Sequence, residues 1–235
     1  MALPLLPTSP ETLSPLFTEP TGWAPNVPNV PETLAAELLL LAHDIRGKCR
    51  IAPAAIDCGV AAALLSELRL AGRLTLDGSV LVATGGPAID DPILDELLAE
   101  VAATSRTPRE WVTHLRDTGL TERLLAQMVK SGQVEVDHHR NYGLFAETWY
   151  PVGDIVALWE AHQRVVVAAT TPAGPDRRTL ALGAIATAAG MAKVLFATSG
   201  DWRALAARVR EKTADDWAAE AVHQVVAAER KNATV

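Results

Sequence analysis

The densest run of groups able to bind a metal or move a proton is Asp137-His138-His139-Arg140. Neighbouring residues of a strand point to opposite faces, so two adjacent histidines diverge. No second cluster of ligands stands at usable spacing, and the run reads as the solvated tip of a hairpin rather than a metal centre. The signatures of hydrolytic, nucleotide-dependent or redox chemistry are missing. There is no His-Glu-x-x-His pair, no glycine-rich phosphate loop, no Gly-x-Ser-x-Gly elbow and no Cys-x-x-Cys. His162 and His223 fall inside apolar helical patterns and read as partly buried helix positions. The paired acids Asp90-Asp91 and Asp215-Asp216 precede helical segments, where capping accounts for them. Cys49 and Cys58 make neither a disulfide framework nor a metal set and read as reduced thiols of a cytoplasmic protein. No catalytic residue, metal or cofactor is expected.

Four basic residues offer a different chemistry. Lys48 and Arg50 lie in one predicted loop, and Arg116 and Arg123 flank a break at Gly119. Together they can build a pocket for a phosphate. Scattered surface charge is the competing reading, and composition alone favours it. The formal net charge of −7 argues against bulk attraction to nucleic acid or anionic membrane, while leaving room for a local basic patch. Two helix-helix-hairpin units suggest winged-helix modules, but the second helix of the first unit, Gly59–Gly72, offers a duplex only Arg69 and Arg73. Nucleic-acid binding is therefore not expected.

The elements that must position these groups follow from periodicity. Residues 1–31 hold eight of the fifteen prolines and read as an extended, weakly structured arm. Residues 32–230 read as one domain. A helix is expected from Thr33, with Leu34, Leu38 and Leu41 at helical spacing, followed by Gly59–Gly72. A hairpin turning at Asp77-Gly78 comes next. Helices then follow over Pro92–Ala103, from Thr107 to Gly119, and over Glu122–Ser131 capped by Thr121. A second hairpin is expected to have Val134–Val136 as its first strand and Asp137–Gly143 as its tip. Helices over Ile155–Ala168, Trp202–Lys212 and Trp217–Arg230 complete the chain, the first with Ile155, Leu158, Trp159, His162 and Val165 at helical spacing. Between the first two of these, Thr179–Phe196 is apolar or small on every face, with Lys193 its single charge. Its length of roughly 30 Å suits a bilayer as well as a core. Its Ala, Gly and Thr content favours the central helix of a bundle. The expected fold is mainly α: a central helical bundle with surrounding amphipathic helices and two β-hairpins.

Several segments in this order resemble a known family. They are Leu34–Ala42, Leu64–Leu74 (LLSELRLAGRL), Asp91–Glu96 (DPILDE), Glu122-Arg123-Leu124, Thr148–Pro151 (TWYP) and Asp176–Leu182 (DRRTLAL). The chain is identified on these as similar to the GOLPH3/Vps74 (GPP34-domain) family, as a bacterial-type member. The resemblance implies a mostly helical fold around a central bundle. It also implies a projecting hairpin used for self-association, here Val134–Tyr150 with His138, His139, Arg140 and Tyr142. Eukaryotic members are peripheral Golgi proteins that bind phosphatidylinositol 4-phosphate and act as adaptors for glycosyltransferases. The implied function is a non-enzymatic, cytoplasmic and peripheral membrane protein binding an anionic, phosphoinositide-like head group, with Lys48, Arg50, Arg116 and Arg123 as its candidate contacts. A protein-binding scaffold of the same fold is the alternative. The family's pocket uses a tryptophan and three arginines, and those positions fall here on Ala52, Ala61, Thr118 and Thr121. None of these can stack on a ligand or make a charge-assisted bond.

Overall fold

A computed structural model of the chain describes residues 33–141, 145–172 and 175–232. The proline-rich arm and Tyr142 lie outside the described residues. The bundle is built around α1 (Leu34–Ala42), all nine residues of which are buried. Thr33 caps it, its Oγ1 accepting from Ala36 N at 3.2 Å. The helix α2 (Pro53–Leu70) packs along α1 and begins six residues before the expected start, with Pro53 in its first turn. Proline suits that position because the amide it lacks would have no partner there. Gly59 lets the two helices close up, since a Cβ there would sit 2.9 Å from Leu38 Cδ2.

The apolar run expected as one long central helix is divided. The helix α7 (Arg177–Ala188) ends in a turn at Gly190, φ +98°, and α8 (Ala192–Leu195) follows. Met191 N donates to Ala186 O at 2.9 Å, closing the helix through a left-handed glycine. The run is buried as expected, with Ile185 and Phe196 fully enclosed. Like α1, it is enclosed within the bundle. Among the described residues no helix is long and apolar enough to cross a membrane.

The first hairpin, β1 (Leu74–Asp77) and β2 (Val80–Ala83), pairs Asp77 with Val80. Its turn is therefore Gly78-Ser79, one residue later than expected, with Gly78 at φ +58°. The helices α3 (Pro92–Ala103) and α4 (Pro108–Leu115) are capped by Asp91 and by a Thr107/Glu110 capping box. The helix α5 (Leu120–Lys130) starts from Gly119 at φ +74°, not from Thr121. The second hairpin, β3 (Asp137–Asn141) and β4 (Phe145–Trp149), begins three residues later than expected. His138, His139 and Arg140 are thus strand residues paired with Thr148, Glu147 and Ala146, rather than part of a polar tip.

After the hairpin, α6 (Ile155–Thr170) buries Ala157, Ala161, Val165 and Ala168. This corrects the expected inward face, because Ile155 and Trp159 lie outside. His162 is half-buried, within 2.9 Å of Leu195 O. The helices α9 (Trp202–Lys212) and α10 (Trp217–Asn232) complete the bundle, α10 against α2, α4 and α7. His223, expected to be partly buried, is exposed on α10.

One ionic network ties the bundle together. Buried Glu37 of α1 pairs with Arg164 of α6 at 2.6 Å, and Arg178 of α7 pairs with Glu67 of α2 at 2.7 Å. The second oxygen of Glu67 accepts from Leu34 N at 2.7 Å, capping α1 from its neighbour. Asp176 caps α7 by accepting from Thr179 N and Oγ1 at 2.9 and 2.7 Å. Adjacent Arg177 is exposed and has no ion pair among the described residues.

Candidate functional site

The corner where α2 begins, α4 turns into α5 and α10 ends gathers three of the four positions implied by the resemblance. Ala52 is the residue before α2 and caps nothing with its side chain. Thr118 stands on the α4–α5 turn and Thr121 in the first turn of α5, where its Oγ1 donates to Asp57 Oδ1 of α2 at 2.6 Å. Ala61 is fully buried within α2 and presents no group to this corner. A concavity of about 400 Å³ opens beside Ala52, lined also by Glu229 and Arg230.

Carboxylates dominate the electrostatics of this corner. Burial pushes the Asp57 carboxyl above its usual range, and Glu122, Asp117 and Glu229 add to the rise against the Thr121 hydroxyl. The Cys58 thiol is pushed up to about 11 by burial and by Glu229, so it stays protonated and inert. The Arg116 guanidinium is bound by Glu229 and Asp117, which hold its pKa up although burial opposes them. Arg123 turns away to Glu96 of α3 at 2.6 Å. Arg116, on the α4–α5 turn, and Arg123, in the first turn of α5, are thus neutralised by neighbours before any ligand arrives.

Because the folded-state pKa of Asp57 lies above the unfolded one, the native state holds this proton more tightly. Stability therefore falls as pH rises through the window just above the ordinary carboxylate range. Asp57→Asn keeps an acceptor for Thr121 and removes the repelled charge. Urea denaturation is expected to show it more stable than wild type at neutral pH by about 0.5 kcal/mol, solvent screening limiting the gain at this half-exposed position. The difference disappears near pH ~4.

Lys48 and Arg50 belong to a separate feature, the loop from Asp44 to Ile51. Asp44 folds it by accepting from Arg46 N at 2.9 Å and Lys48 N at 3.0 Å. Gly47, at φ +83°, fits against Tyr150, whose N donates to Gly47 O at 3.0 Å. Ile45 is left 63% exposed between these anchors. Arg46, Lys48 and Arg50 are all exposed, and among the described residues none has a carboxylate within ion-pair distance. The Lys48 ammonium lies 5.9 Å from the Trp149 ring centroid. The structure therefore separates the four basic candidates into two free on this loop and two engaged on the α4–α5 turn. Sequence reasoning passed over Ile45 and Arg46, although an aspartate and a glycine bracketing Ile-Arg signal a tight turn that cannot bury its isoleucine.

No group of three or more His, Cys, Asp or Glu able to hold a metal is present among the described residues. Arg69, one of the two cations the winged-helix reading would offer DNA, pairs with Asp216 at 2.8 Å. Among curated proteins no match to the chain is found. The family model described as Golgi phosphoprotein 3 (GPP34) matches residues 34–228, from the first residue of α1 to near the end of α10. On that match the chain belongs to the Golgi phosphoprotein 3 (GPP34) family.

Proposed function

We propose that this GPP34 protein is a non-enzymatic, cytoplasmic protein that associates peripherally with anionic membrane through the Asp44–Ile51 loop. The observation that carries this reading is exposed Ile45 set among three cations, Arg46, Lys48 and Arg50, that have no ion pair among the described residues. Each cation near an anionic surface contributes about 1 kcal/mol, and partial burial of an isoleucine adds about as much. The chain as a whole carries net −7, but repulsion of its distant parts is screened beyond a Debye length of about 8 Å, so the loop at the surface feels the membrane most strongly. Binding of this kind is weak, reversible and indifferent to head-group stereochemistry. The engaged Arg116 and Arg123, and alanine or threonine at the family's pocket positions, argue against selective capture of phosphatidylinositol 4-phosphate.

Vesicle co-sedimentation tests it. Phosphatidylcholine vesicles should leave the protein in solution. Vesicles carrying phosphatidylserine, or phosphatidylinositol 4-phosphate at matched surface charge, should pellet it equally. Pelleting confined to the phosphoinositide, or absent with both, refutes the proposal.

Self-association is a second reading, favoured by an apolar surface beside the second hairpin. Trp159 is 62% exposed, with Ile155 and Val156 in the same first turns of α6 and Val136 just before β3. Assembly through this surface and the Val134–Tyr150 hairpin would bring several weakly binding loops to one membrane and raise avidity. Trp159→Glu is expected to lower the native mass measured by sedimentation velocity. An unchanged mass would remove this face from the assembly.

A further inference from the structure

At the end of the bundle where the C-termini of α2 and α9 meet the N-terminus of α7, a cleft of about 450 Å³ opens. Cations from three elements line it: Arg69 of α2, Arg177 of α7 and Lys212 of α9. Two of them are held in place. Arg69 is oriented by Asp216 at 2.8 Å and lies 5.4 Å from the Trp217 ring centroid. The Lys212 ammonium donates to Ala168 O at 2.7 Å and Thr171 O at 2.6 Å. Those partners are neutral carbonyls, so its charge is uncompensated and one N–H remains. Arg177 is exposed, with no carboxylate partner among the described residues.

Two acids also line the cleft. Asp216 is saturated, one oxygen on Arg69 and the other accepting from Ala218 N and Ala219 N at 3.0 and 3.1 Å. Asp215 is exposed on the rim. The balance leaves a positive cleft on an acidic protein, with Leu180 as part of its apolar wall. A planar carboxylate meets two such donors at once, whereas a tetrahedral phosphate can face all three. We infer that this cleft binds a phosphate monoester carrying a small apolar or glycerol-like group. It is separate from the Asp44–Ile51 loop.

Isothermal titration of the full chain at low ionic strength with glycerol phosphate, and flotation with phosphatidic acid vesicles, distinguish a soluble from a lipid source of the phosphate. Saturable binding to either is expected to weaken about tenfold in Arg177→Ala, which breaks no internal contact. Asp215→Asn should tighten it about threefold by removing the rim charge. Arg46→Glu/Lys48→Glu should leave binding of glycerol phosphate unchanged, which separates this site from the membrane loop. Absence of binding to both probes, or binding indifferent to Arg177→Ala and Asp215→Asn, overturns the inference.

Discussion

Arg178→Met is expected to lower the unfolding free energy by about 3 kcal/mol, measured by urea denaturation, while Arg177→Met one residue earlier stays within about 0.5 kcal/mol of wild type. The contrast follows from where the two side chains go. Arg178 bonds Glu67 at 2.7 Å and lies 3.8 Å from Glu37, whose side chain is 4% exposed. Removing one member of such a network leaves a carboxylate away from water without its counterion. That penalty exceeds what the pair contributes over an apolar replacement. Pairing Arg178→Met with Glu67→Gln should therefore recover part of the loss, because glutamine still accepts from Leu34 N without leaving a charge behind. Equal effects of the two arginine variants would mean that the network does not hold the bundle.

Gly47→Ala is expected to cost about 2–4 kcal/mol and to loosen the junction between the Asp44–Ile51 loop and the second hairpin. A Cβ at this position would lie 2.1 Å from the Tyr150 carbonyl carbon and 2.2 Å from Pro151 N, both backbone atoms that cannot swing aside. The φ of +83° adds the ordinary cost of a left-handed residue. Hydrogen exchange should show faster exchange at Tyr150 N, which donates to Gly47 O. Vesicle binding should fall as well, since Ile45 and its cations are presented by the same turn. A variant as stable as wild type, with Tyr150 still protected, would show that the loop does not rest on the hairpin as described.

Much of this was legible in the residues. Asp91, Thr107 and Asp176 announced their helices because a side-chain oxygen ahead of an apolar period is a local signal. Other features depended on tertiary context. Thr121 looks like a cap but donates to Asp57, which lies 64 residues away in sequence. The apolar run ending at Phe196 gave no hint in its hydropathy of the break at Gly190, since a left-handed glycine is as apolar as its neighbours. The inward face of α6 was misjudged because both faces are apolar, and its alanines, not Ile155 and Trp159, are the residues small enough to pack against the bundle. At the candidate site, charge counting could place four cations near two breaks. It could not show that Glu229 and Glu96 engage Arg116 and Arg123, because those partners come from other helices.

The division of those cations is the centre of the functional account, and one co-sedimentation experiment addresses it most directly. Arg46→Glu/Lys48→Glu/Arg50→Glu and Arg116→Gln/Arg123→Gln would be compared with the wild-type chain on the same phosphatidylserine vesicles. The loop triple variant is expected to stay in the supernatant, and the α4–α5 double variant to pellet like wild type. Retained binding of the triple variant, with loss in the double variant, would return the membrane contact to the α4–α5 corner and contradict the account.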